Sequence, residues 1–260
     1  MNRRITKPIA PQFMSNYELP TKRPTLGESF SPVKAGKNKS HVIIILDESS
    51  SMYTSRKATI DSCNEFLDLQ RADAKKQGIK TYVSIYKFNG SEVYCITGYV
   101  NIKKIQHITA QDYVPNGMTN LNDAVGSVMA TVNQTLKLNK KKDRESVIFN
   151  IITDGYENCS KSFTAADIKL MISKAEEANW SFNFMGADID AFAVGRTYGL
   201  NVNNTIQFNK GNIVGAMRSV SRKTSDMRLA YAAGADTQAV YNATAFTNEE
   251  RDKAVGEENG

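Results

Sequence analysis

The chain has 260 residues, 41% of them hydrophobic, enough for one α/β core with tails or for two small domains. Its formal charge of +6 is carried by residues 1–40, where eight Lys and Arg face two acids; residues 41–260 are neutral overall. Three widely spaced cysteines, Cys63, Cys95 and Cys159, form neither a disulfide framework nor a CxxC zinc pattern, and no apolar run approaches the length of a membrane span.

Residues 1–40 also hold five of the six prolines. Proline lacks a backbone donor and resists helix, so this segment is expected to be an extended basic arm, either disordered alone or laid along a surface. The opening MNRRITKPIAPQF has basic residues but no apolar stretch, which argues against a secretory signal and for a cytoplasmic protein. A domain is expected over 41–233, followed by a tail, 234–260.

Residues 42–46 are apolar at every position, the mark of a central parallel strand with both faces covered. A helix is predicted over roughly 55–77. Two β-rich runs, TYVSIYKF and SEVYCIT, flank Asn89-Gly90, a hairpin signal because a type I′ turn needs positive φ at both centres. Leu121, Val125, Val128, Met129, Val132 and Leu136 form a helical stripe. Another buried strand is expected at 147–152. Thr164 and Asp167 have the spacing of a capping box, opening a helix with Ile168, Met171, Ile172 and Ala175 on one face. Strands at 182–185 and 205–208 bracket a helical segment near 190–198, and a long helix covers about 212–233. The tail has one further capping box, Thr247 with Glu250, and so one short helix is expected there.

Strands alternating with helices imply right-handed crossovers and a Rossmann-like, doubly wound α/β fold. Its six-stranded sheet is mostly parallel, with one antiparallel strand at the edge. Such sheets bind ligands at the carboxyl ends of their strands. Three loops leave that end. The first strand runs into Asp47-Glu48-Ser49-Ser50-Ser51; Gly117-Met118-Thr119-Asn120 precedes the second long helix; the strand at 147–152 runs into Thr153-Asp154-Gly155. Asp47, Ser49, Ser51, Thr119 and Asp154 are therefore candidates to converge on one hard cation, Mg²⁺ or Mn²⁺, because all five offer oxygen. Alternatively the hydroxyls cap helices and Asp154-Gly155 is an ordinary turn.

In the order and spacing of these elements, residues 41–233 resemble the von Willebrand A family and its metal-ion-dependent adhesion site, or MIDAS. The resemblance implies that the serines ligate directly, that Thr119 and Asp154 exchange direct and water-mediated roles, and that Asp47 orients serines and waters from behind. TDGYEN and FMGADIDAFAVGRTYGL further resemble small stand-alone A-domain proteins of tailed bacteriophages and bacteria. The family resemblance implies a protein-binding module, not an enzyme, whose metal engages an Asp or Glu of a partner. In A-domains of adjustable affinity the C-terminal helix moves along the sheet. Here that helix is the one at 212–233, between Gly211 and Gly234, and the alternative is a helix fixed by packing.

Other readings are weaker. Position 49 is Ser, so the second carboxylate of a haloacid-dehalogenase-type phosphatase is missing. His41 and His107 lie in no hydrolase arrangement, and no phosphate-binding glycine loop follows a strand. A metal-dependent hydrolase therefore ranks low. Cys159 is read as a small filler near the site. Glu48 and Glu157, in the metal loops, either add negative potential or are solvated. Lys75, Lys76, Lys80, Lys137, Lys140, Lys141, Lys142 and Arg144 cluster at the pole opposite the metal. With the arm they offer an alternative function, weakly specific nucleic-acid binding, against the simpler reading of helix-end solubilising charge. No membrane partner is implied, and the oligomeric state is left open.

Overall fold

The computed structural model describes residues 26–90, 92–141 and 144–256. Its sheet has six strands: β1 (Lys39–Asp47), β2 (Lys80–Asn89), β3 (Glu92–Asn101), β4 (Ser146–Thr153), β5 (Trp180–Ala187) and β6 (Thr205–Phe208), in the order β3-β2-β1-β4-β5-β6. All neighbours are parallel except β2 and β3, so the one antiparallel strand is at the edge. The chain leaves β1 through α2 (Arg56–Gln77) toward β2 and β3, then returns through α3 (Leu121–Leu138) to β4 on the other side of β1. The carboxyl ends of β1 and β4 therefore flank the point where the winding reverses.

The pleat sorts β1 between two cores. Ile43 and Ile45 join α3, α4 (Ala165–Glu177) and α5 (Ala191–Thr197) on one face. Val42, Ile44 and Leu46 join α2 and α6 (Ile213–Ala232) on the other. Both expected capping boxes are present, Thr164 with Asp167 and Thr247 with Glu250, each side chain accepting from the other residue's backbone N–H. Among the described residues no helix is long and apolar enough to cross a membrane.

Three boundaries differ from expectation. The hairpin turns one residue later than its Asn-Gly signal suggests. Asn89 pairs with Glu92 inside the ladder, leaving Gly90, at φ 55°, as the first loop residue. Asn89 is held there because its side chain donates to Glu48 Oε2 and Asn116 Oδ1.

The break expected near residue 40 falls within a packed unit. A short turn of helix, α1 (Leu26–Ser29), and the segment after it lie against α3 and α4. Phe30 is buried edge-on to Trp180, Val33 N–H donates to Asn133 Oδ1, and Ala35 N–H donates to Ala178 O. Proline and lysine made this segment look detached, yet its few apolar side chains and backbone groups are used. The rest of the expected arm, residues 1–25, lies outside the described residues.

The tail likewise holds two helices, α7 (Thr237–Ala243) and α8 (Asn248–Val255), which bury Val240, Tyr241, Phe246 and Ala254 against α6 and the sheet.

Candidate metal centre

Asp47 closes β1 and is fully buried. Its Oδ1 accepts from Ser49 N–H at 2.7 Å and its Oδ2 from the Thr153 hydroxyl at 2.6 Å, at the end of β4. The carboxylate thus joins the two central strands and folds the Asp-x-Ser-x-Ser turn back on itself. Burial pushes its pKa up to about 6; the bonds from Thr153 and Ser49 offset part of that, and neighbouring Asp154 adds to it.

The turn brings Ser49 Oγ within 3.0 Å of Ser51 Oγ, and Ser51 Oγ donates to Asp154 Oδ1 at 2.6 Å. Thr119 is delivered by its own loop. Ser50 N–H donates to Gly117 O, where Gly117 takes φ 77°, while Thr119 N–H donates to the Asn158 side-chain Oδ1 and Asn158 N–H donates to Thr119 O. A Cβ on Gly155 would stand 2.8 Å from Thr119 Oγ1, so glycine there lets the threonine hydroxyl lie against the Asp154-Gly155 backbone. The five candidate residues therefore stand at one mouth of the sheet. Ser49, Ser51 and Asp154 touch in a line, Asp47 lies beneath them, and Thr119 is beside Gly155.

Two acids read as field-setting or solvated prove to be anchors. Glu48 is buried and accepts from Lys87 Nζ at 2.9 Å, from Asn89 and from Val114 N–H, fixing the loop that leads to Gly117. Glu157 accepts from the backbone N–H of Asn122, Cys159 and Ser160, tying the Asp154 loop to the start of α3. The Cys159 thiol donates to Gly90 O; burial, then the nearby Glu157, raises its pKa, which opposes thiolate chemistry. His41 is buried against Ser84, its pKa lowered to about 3 by burial, and His107 bonds Asp68; neither enters the site.

Three participants escaped the sequence reading. Thr153 holds Asp47. Lys210, in the one-turn helix at 210–212 between β6 and α6, places Nζ 2.7 Å from Asp154 Oδ2. Asp188 follows β5 with φ 52° and lies 3.9 Å from the same ammonium.

Among the described residues no three His, Cys, Asp or Glu side chains gather as a metal cluster. This mouth offers two carboxylates and three hydroxyls instead. That donor set suits a hard divalent ion and does not suit zinc chosen by thiolate or imidazole. Asp154 Oδ2 supports the fit: it is buried and receives no aligned hydrogen bond, only the ion pair with Lys210. Two neighbouring buried carboxylates call for positive charge, and the residues present fit a divalent cation.

No protein-family model and no curated protein matches the sequence. Solved structures do match in fold. The pilus adhesin SpaC of Lactobacillus rhamnosus GG, in its open conformation, aligns over 75% of this chain and 31% of its own, at 9% identity and a TM-score of 0.55. Proximal thread matrix protein 1 from the mussel byssus, with a zinc-occupied MIDAS motif, aligns over 72% of this chain and 48% of its own, at 11% identity and a TM-score of 0.50. A von Willebrand factor type A structure from Catenulispora acidiphila aligns over 73% of this chain and 43% of its own, at 13% identity and a TM-score of 0.48. The chain thus spans less than half the length of each of these proteins. The likeness is one of fold: a doubly wound, mostly parallel sheet.

Proposed function

We propose that this chain is a non-enzymatic cytoplasmic adaptor that engages an acidic residue of a protein partner through a divalent cation, Mg²⁺ or Mn²⁺. Ser49, Ser51, Thr119 and Asp154 would hold the ion, with Asp47 orienting the serines from behind. The observation that carries this reading is the line Ser49 Oγ, Ser51 Oγ, Asp154 Oδ1, with contacts of 3.0 and 2.6 Å, at the reversal point of the sheet. When bound, an ion held mainly by neutral hydroxyls keeps enough charge to attract a partner's carboxylate in place of a water. The mussel protein's zinc-occupied MIDAS motif supports a divalent ion in a fold of this kind. Three free cysteines accord with a reducing compartment.

At the opposite pole the buried Glu145 accepts from Asn139 and Tyr99, and its charge beneath the lysines offsets part of theirs. Partner capture from host lysate separates the two functions. Capture is expected to require Mg²⁺, to be abolished by EDTA and by Ser49→Ala with Ser51→Ala, and to survive moderate salt. Capture that ignores EDTA but vanishes in moderate salt would overturn the reading in favour of polyanion binding.

A further inference from the structure

The ammonium of Lys210 stands at the same carboxylate that the metal reading requires. Nζ is 2.7 Å from Asp154 Oδ2 and 3.2 Å from the Ser51 carbonyl oxygen, so it bridges two of the three metal loops. The Asp154 side chain is 0% exposed and that of Lys210 25%, which removes much of the solvent screening a surface pair would have.

The lysine is also held in place from behind. Asp188 adopts a left-handed φ, uncommon for a residue other than glycine. That turn presents its carboxylate to both the Lys210 backbone N–H, at 3.4 Å, and the ammonium, at 3.9 Å. On the far side Asn209 N–H donates to Ala254 O at the end of α8, and the Asn209 side chain donates to Val255 O. Strand β5, strand β6 and the C-terminal helix therefore all fix the loop that carries Lys210.

We infer that Lys210 is a tethered cation that competes with the divalent ion for Asp154, so that the loop between β6 and α6 sets the metal affinity of the site. This rests on the metal reading above. Lys210 holds Oδ2 while the serine line ends on Oδ1, so a divalent ion on this carboxylate would stand beside an ammonium 2.7 Å from its other oxygen, and the two like charges repel. Occupation of the site therefore swings the Lys210 side chain away, toward Asp188 or solvent. The movement stays within the loop, because α6 beyond it is bonded side chain by side chain to α2 and β4. The Lys210 side chain then reports whether the site is filled, and a partner that holds this side chain away from Asp154 would raise metal affinity without touching a ligand.

Mn²⁺ titration followed by electron paramagnetic resonance tests this on the full chain. Lys210→Met is expected to bind Mn²⁺ about tenfold more tightly than wild type, the size of effect that removing one nearby like charge produces. Lys210→Arg, which keeps the charge, is expected to stay near wild type. A second readout needs no variant: acylation of Lys210 in the wild-type protein, measured by mass spectrometry, is expected to rise several-fold on adding Mn²⁺. If wild type binds Mn²⁺ but Lys210→Met binds no more tightly, or if Lys210 acylation is unchanged by metal, the competition is overturned while the metal site stands. If neither wild type nor Lys210→Met binds Mn²⁺, the metal site and the competition fall together.

Discussion

Helix α3 buries Leu121, Val125, Val128, Met129, Val132 and Leu136 on one face of the sheet, whereas the second half of α6 buries Ser221, Lys223, Thr224, Ser225 and Arg228 on the other. The first contact is apolar and non-directional. The second is a set of aimed bonds. Gln70 Nε2 donates to Ser221 O and to the Ser225 hydroxyl, Arg228 donates to Gln70 Oε1 and Gln77 Oε1, and Thr224 donates to Asn150 Oδ1, which also accepts from Asn183. An apolar stripe tolerates small slips, but a helix shift of one turn, about 5.4 Å, would break every one of the bonds that α6 makes here. The sliding C-terminal helix implied by the family resemblance is therefore opposed in this chain by its own buried polar residues, and motion at the metal end is left to the Lys210 side chain.

The largest expected effect lies on the apolar face. Leu136→Ala is expected to cost about 2–5 kcal/mol in urea unfolding, the loss of burial plus a residual cavity. Next comes Arg228→Met, which keeps the stem and removes the guanidinium. It strands acceptors on Gln70 and Gln77 and is expected to cost about 2–3 kcal/mol. A neutral or stabilising Arg228→Met would erase the contrast, since α6 would then be held by packing as α3 is.

The last effect is a pH dependence. Burial first, and then neighbouring Arg222, lower the Lys223 pKa from 10.5 to about 7, with Glu250 and Asp226 opposing and Arg251 reinforcing. Its Nζ donates to Thr244 O and lies over the Phe246 ring, so this lysine fastens the tail to α6. Between pH 7 and 10.5 the unfolded chain holds a proton on this lysine that the folded chain does not. Stability should therefore rise with pH across that window. Lys223→Met is expected to flatten the rise in thermal midpoint, and an unchanged slope would show that Lys223 is not its source.

The same contrast explains what could be read from the sequence. The continuous apolar run of β1, the stripe of α3 and the two capping boxes are local patterns, each set by one element's own geometry. Asp47, Ser49 and Ser51 sit within a few residues at a strand end, so their closeness follows from one turn. Thr119 and Asp154 needed only the inference that their loops leave the same edge. Lys210 had no such signal: it reaches Asp154 because β5 lies between β4 and β6, a fact of sheet order. Lys223 and Arg228 carry no local signal of burial, since a stripe argument sorts by polarity and cannot foresee a buried partner such as Gln70. Phe30 and the tail were hidden by proline, lysine, alanine and asparagine, whose composition masks the few side chains that pack.

Ser49, Ser51, Thr119 and Asp154, with Asp47 orienting the serines, are proposed to make one divalent-cation site. Isothermal titration of Mg²⁺ or Mn²⁺ into wild type and into the variant combining Ser49→Ala with Ser51→Ala tests it most directly. Wild type is expected to bind one ion per chain, and the variant to lose affinity by about tenfold or more, as expected when direct ligands are removed, with its thermal transition retained. Equal affinity in the two proteins, with both folded, would contradict it.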